Sequence, residues 1–163
     1  VIDVKTDLNW NGEDVKVKGK KVMNKSLFEL GLIIEGQAKV LAPVKTGRLA
    51  GSITTQSRTE GTKPDGNAKS SDVITKPSRD EEVFVGTAVD YAPHIEYGTS
   101  SYIIKAKNAR SLSDGKSYFG KSVTHPGIDA QPFLRPSLAL AQGKTLRTFE
   151  ENGKRYFADY MRK

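Results

Sequence analysis

The chain has 163 residues and no cysteine, which excludes disulfides and thiolate metal sites. Hydrophobic residues make up 36%, below the usual globular share, so part of the chain is expected to contribute to no core. The net charge of +7 is unevenly spread: residues 1–58 carry +4, residues 59–100 carry −4 and residues 101–163 carry +7. A basic C-terminal third suits contact with nucleic acid, contact with the acidic middle of a neighbouring copy, or a plain solvated face. No apolar run reaches the length of a membrane span, so no membrane partner is expected. The opening V-I-D-V-K-T-D-L lacks the apolar centre of a secretory signal.

Residues 1–20 alternate weakly and contain Asn11-Gly12, a hairpin-turn signal, so they read as an N-terminal arm or strand pair. From Met23, apolar residues recur at Leu27, Leu30, Ile34, Ala38 and Leu41, the spacing of a helix that Pro43 ends. Gly31 and Gly36 inside it predict close approach of another backbone. Lys45–Arg48 reads as a turn and Leu49–Arg58 as a strand. Residues 60–80 are almost wholly polar, and such a long connection predicts a mobile loop, poorly ordered in a monomer. It would join two antiparallel strands, the second being Glu82–Thr87.

Val89–Thr99 (V-D-Y-A-P-H-I-E-Y-G-T) is the least ordinary run. Pro93 and Gly98 limit it to a short helical turn, and Tyr91, Ile95 and Tyr97 are expected to pack on a core. Residues 101–124 read as an inserted hairpin: a strand at Tyr102–Lys107, a turn at Ser113–Lys116 and a return at Ser117–Thr124. Pro136 suits the first turn of a last helix over Arg135–Tyr160, with Leu138, Ala141, Leu146, Phe149, Tyr156 and Tyr160 on its apolar side. The whole is one α+β domain, residues 1–163, with an antiparallel sheet against a long helix in the N-terminal half and a C-terminal helix. Ala42–Ile53, Val89–Thr99 and His125–Leu138 are expected to meet in space.

Three chemical readings compete with structural ones. Gly115–Ser122 fits the phosphate-loop pattern G-x-x-x-x-G-K-[ST], but it lacks the preceding buried strand and the following helix that make the pattern work. Asp90, His94 and Glu96 resemble a metal or acid–base cluster; their spacing does not align them on one helix face, and Glu96 is better spent pairing with Arg48 or Arg135. Neither a catalytic site nor a bound cofactor or metal is expected. Lys105, Lys107, Arg110, Lys116 and Lys121, with Tyr102, Tyr118 and Phe119 among them, are the candidate DNA-facing residues. The alternative to DNA is an exposed arm whose charges guard its edges.

Ala42-Pro43-Val44-Lys45-Thr46-Gly47-Arg48-Leu49 with Ser52-Ile53 resembles the A-P-V-x-T-G-x-L-x-x-S-I signature of the HK97 gp10-like family of tailed-phage neck and tail-completion proteins. Val85-Gly86-Thr87, Asp90-Tyr91-Ala92 and Ile95–Thr99 resemble its central block, and Gln131–Pro136 its closing block. The likeness spans residues 23–146, and the 60–80 loop and 101–124 hairpin look like additions to a smaller core. The resemblance implies a non-enzymatic, ring-forming virion subunit at the head–tail junction around the DNA path, assembled in the host cytoplasm. A hexamer is favoured over a dodecamer. The implied neighbours are head-completion, tail-terminator or tail-tube proteins, with non-specific contact to genomic DNA. It also implies that Pro43, Gly47 and Gly98 set turns. Tyr91, Tyr97, Phe133 and Leu134 would fill the helix–sheet junction, and Arg48, Glu96 and Arg135 would form an ion-pair network there. A non-specific DNA-binding module that uses the hairpin is the alternative.

Overall fold

The computed structural model describes residues 12–107 and 110–161. Two long helices carry the α+β architecture, α1 (Gly12–Leu41) and α4 (Leu134–Met161). Between them lie the short helices α2 (Arg48–Ser52) and α3 (Ala92–Tyr97). Among the described residues the strands are β1 (Thr54–Ser57), β2 (Val83–Gly86), β3 (Tyr102–Lys105), β4 (Leu112–Ser113), β5 (Tyr118–Gly120) and β6 (Ser122–His125). They form three separate antiparallel pairs, β1–β2, β3–β6 and β4–β5, rather than one sheet.

The first helix starts well before the expected Met23. Glu13 and Asp14 sit in its first turn, where acidic groups complement the helix dipole. Asp14–Lys18 and Glu13–Lys16 are ion pairs at helical spacing. Gly12 opens this helix, so residues 12–20 are helical and not a strand pair; Asn11 and the rest of the expected arm lie outside the described residues. Leu41 closes α1 because a residue before proline, here Ala42, is pushed away from helical geometry.

Gly31 lies against the β1–β2 pair. A methyl group there would come within 2.6 Å of Thr55 Cγ2 and 2.8 Å of Val83 Cγ1, so α1 rests on the sheet through a position that admits no side chain. Gly36 has no such neighbour within 4 Å, contrary to expectation.

On another side α1 packs antiparallel to α4. The buried stripe of α4 runs Phe133, Ser137, Ala141 and Asn152, mostly small or polar side chains. Leu146 is 84% exposed, against the expected apolar side, whereas Leu138, 51% exposed, borders a gap between the two helices with Leu27, Leu30 and Ile34. The buried part of the α4 side of the seam uses small residues, a pattern that hydrophobicity does not mark. Asn152 Nδ2 donates across it to Ser26 Oγ (3.1 Å) and Glu29 Oε2 (2.6 Å). The expected packing of Tyr156 and Tyr160 lies outside the described side chains.

The segment expected as one strand from Leu49 begins as α2. Leu49 and Ile53, four apart, are both buried, which is helical and not extended spacing. Strands β1 and β2 then pair from Thr54↔Gly86 to Ser57↔Val83.

Their long connection is fastened along its length, contrary to the expected poor order. Thr62 N–H donates to the Thr55 carbonyl and its hydroxyl to Glu35. Asp65 N–H donates to the Gly51 carbonyl, and Asn67 Nδ2 to the Thr46 carbonyl. A one-turn 3₁₀ helix at Ser70–Asp72 buries the Asp72 carboxylate. Polar composition here serves local hydrogen bonds to α1 and α2 in place of an apolar core.

The core is small: Ala38, Ala42, Leu49, Ile53, Val89, Ala92 and Phe133, with Ala50, Val85, Ile95 and Leu134 against it. Each of the three marked runs contributes to it, as expected from their apolar members.

Candidate functional site

The junction of the three runs is organised by Glu96, which is 4% exposed. Gly98 (φ +72°) and Pro93 confine α3 to six residues and present Glu96 to the start of α4. Its Oε2 accepts the N–H groups of Phe133 (2.7 Å) and Leu134 (3.0 Å), and its Oε1 accepts the N–H of Arg135 (3.1 Å). Those groups are the unsatisfied donors of a helix N-terminus, so Glu96 caps α4 from a distant part of the chain.

Arg135 completes the arrangement. Its Nε donates to Glu96 Oε1 (3.0 Å), its Nη2 donates to the Glu96 carbonyl (2.8 Å), and its guanidinium lies 4.8 Å over the Tyr97 ring. Burial pushes the Glu96 carboxyl up, but the three N–H donors and the guanidinium outweigh it and hold it below its usual range.

Beside this, Gln131 N–H donates to the Ile95 carbonyl, and Thr99 and Ile128 exchange backbone hydrogen bonds. A side chain at Gly98 would meet the Ile128 carbonyl oxygen at 2.7 Å. Gly98 is thus required both by its backbone angle and by the strand pressed against it.

Arg48 is not part of the Glu96 network, a correction to the expected three-member set. It forks onto Asp72, with Nε to Oδ2 at 2.9 Å and Nη2 to Oδ1 at 2.7 Å. The guanidinium, helped by the Lys69 N–H, holds the Asp72 carboxyl at about 2. Asp72 escaped sequence reading because it sits among residues that look like loop filler. The apolar pair Val73-Ile74 beside it was the one signal that this part of the loop packs.

The expected turn formers hold their places. Gly47 adopts φ +75° ahead of α2, and Pro43 follows α1. Of the expected filling residues, Phe133 is fully buried and Leu134 packs on the core. Tyr91 and Tyr97 do not fill it: they are 38% and 67% exposed, because α3 is too short to turn more than one face inward. Pro43, Gly47, Arg48, Leu49, Tyr91, Ile95 and Ile128 instead line an open, mainly apolar groove of about 730 Å³.

The other chemical readings take definite positions. With Glu96 committed to α4, Asp90 and His94 have no third ligand, and among the described residues no group of three His, Asp or Glu side chains is placed to share a metal ion. Gly115–Ser122 forms a turn and β5, and β6 follows where a phosphate loop needs a helix.

The acidic middle is not a free acidic patch. Six of its eight carboxylates pair within the chain: Asp65 with Lys39, Asp72 with Arg48, Asp80 with Arg58, Glu81 with Lys20, Glu82 with Arg79 and Glu96 with Arg135. Lys105, Lys107, Arg110, Lys116 and Lys121 lie on the exposed hairpin away from these pairs. No helix among the described residues is long and apolar enough to cross a membrane. Compared with protein-family models, with curated proteins and with solved structures, the chain finds no match.

Proposed function

We propose that this chain is a non-enzymatic, ring-forming subunit of a tailed-phage neck, acting in tail completion at the head–tail junction and surrounding the DNA path. The observation that carries the reading is the amount of large apolar surface left uncovered on so small a core. Val40, Leu41 and Val44 are 79%, 41% and 74% exposed at the end of α1, and Leu138, Leu140 and Leu146 are 51%, 57% and 84% exposed along α4. Isolated exposed apolar residues are ordinary, but a cluster at the end of α1 and, on other sides of the molecule, the leucines spread around α4 supply distinct contact points, as a head-to-tail contact needs when one surface meets a different surface on the next copy. The motif residues also fit a structural role. Glu96, Gly98, Phe133 and Arg135 hold a junction together, and their polar atoms are used internally rather than offered to a substrate.

Light scattering across protein concentration, with negative-stain imaging of the same samples, tests this. Closed rings, hexameric in preference to dodecameric, are expected, and Leu146→Glu with Val44→Asp should dissociate them. A strictly monomeric chain, both alone and after incubation with tail tubes or DNA-filled heads, would overturn the reading.

A further inference from the structure

We infer that the hairpin arm at residues 101–125 binds the phosphate backbone of DNA, without sequence preference, through its unpaired cations. Strands β3 and β6 pair from Tyr102↔His125 to Lys105↔Ser122, and Ala106 N–H extends the ladder to the Lys121 carbonyl. Alternation then sorts the side chains. Ile103, Lys105, Ser122 and Thr124 fall on one face and are all exposed, while Lys107 follows in a bend and Lys121, also exposed, alternates to the other face. Ile104, Val123 and His125 fall on the other and are half-buried, with Tyr102 stacked on His125 at 4.9 Å between ring centroids. The open face therefore combines the Lys105 ammonium with the Ser122 and Thr124 hydroxyls, donors that contact phosphate oxygens, and Lys107 and Lys121 add charge beside it.

The charge of the arm is not neutralised from within. It holds Lys105, Lys107, Arg110, Lys116 and Lys121 against one carboxylate, Asp114. That carboxylate is occupied by the turn, accepting the N–H groups of Lys116 (2.9 Å) and Ser117 (2.7 Å). Among the described residues, none of the five cations has a carboxylate within 4.0 Å, whereas the acidic residues elsewhere are mostly paired. Near the tip, Tyr118 and Phe119 are 83% and 46% exposed. Exposed aromatic rings next to unpaired cations suit nucleic acid better than an acidic protein, because bases offer flat faces to stack on. A two-stranded ribbon also has the width to enter a major groove. The inference rests on the arm alone and does not require that the chain close into a ring.

The test is fluorescence anisotropy of the full chain with labelled duplex and single-stranded oligonucleotides, over about 50 to 300 mM salt. Each sample is taken from a fraction of measured mass, so ring formation and DNA binding are scored separately. Each phosphate neutralised on a duplex contributes about 0.9 to the slope of log affinity against log salt, so the five cations set a ceiling of about 4.5. Lys105→Ala, Lys107→Ala and Lys121→Ala together should flatten the slope by up to about 2.7 at unchanged mass. Tyr118→Ala with Phe119→Ala should weaken single-strand binding more than duplex binding. Lys21→Ala, Lys25→Ala and Lys63→Ala, which remove as much charge elsewhere, should leave the slope near wild type. Absence of salt-dependent binding would overturn the inference, as would equal losses from the two lysine triples.

Discussion

Replacing Glu96 by alanine is the sharpest test of how the junction holds together. The carboxylate accepts three main-chain N–H groups and one guanidinium N–H. The Arg135 side chain is 57% exposed and can return to water, so its loss is cheap. The N–H of Phe133 belongs to a fully buried residue and donates to Glu96 Oε2. A buried donor left unsatisfied costs about 1–3 kcal/mol. With Leu134 and Arg135 losing their cap as well, the total should be about 3–5 kcal/mol. At about 2–4 °C per kcal/mol for a chain of this size, Tm should fall by about 6–20 °C. Urea and thermal unfolding followed by far-UV circular dichroism measure both quantities. Arg135→Ala should cost only about 1 kcal/mol. A Glu96→Ala variant within about 1 kcal/mol of wild type, or an Arg135→Ala variant as damaged as Glu96→Ala, would refute the view that the carboxylate acts chiefly as a helix cap.

Two further predictions use the same assays. Gly36→Ala, exposed inside α1 and meeting nothing within 4 Å, should stabilise by up to about 1 kcal/mol. Gly31→Ala should destabilise by about 1–3 kcal/mol, because its methyl group would drive into Thr55 and Val83; equal effects at the two glycines would show that α1 does not rest on the sheet. The chain should also lose stability in acid. Asp72 is held at about 2 against an ordinary 3.8, and Glu96 is also lowered, so both carboxylates stabilise the fold above their unfolded-state values. That contribution is lost as pH falls through the window from about 4 to about 2 for Asp72. Asp72→Asn should therefore show a shallower fall in stability over that window than wild type, as read by urea midpoints at successive pH values.

Where apolar residues set the structure, the sequence was legible. The periodicity from Leu27 to Leu41 gave the body of α1, and the meeting of the three marked runs followed from their buried members. The turn at Ser113–Lys116 was also readable, because turn chemistry is local, but the return strand expected over Ser117–Thr124 is split: Tyr118–Gly120 pairs with Leu112–Ser113, and only the part from Ser122 pairs with Tyr102–Lys105. What was hidden depends on polar groups with distant partners. Arg48 finds Asp72 24 residues away, and nothing in either neighbourhood says so. Asp65 and Asn67 fasten the 60–80 segment to backbone groups of α2 and its approach, so a composition typical of loops conceals a fixed path. The α4 seam was missed for a related reason: Ser137, Ala141 and Asn152 are buried there, while Leu146, expected on the apolar side, is exposed.

The Asn152 contact has a consequence for how the two long helices are indexed against each other. Its amide reaches Ser26 and Glu29 within an otherwise tight seam. Sliding α4 along α1 by one turn, about 5.4 Å, would leave the buried amide with no partner while changing the remaining small-residue contacts little. One side chain thus works as a detent, permitting a single alignment where apolar packing alone would tolerate several. The two helices are then held in one register, so the start of α1 and the far end of α4 keep the same offset in every copy of the chain. The proposed ring would depend on that uniformity, since small errors in offset would add up around the circle.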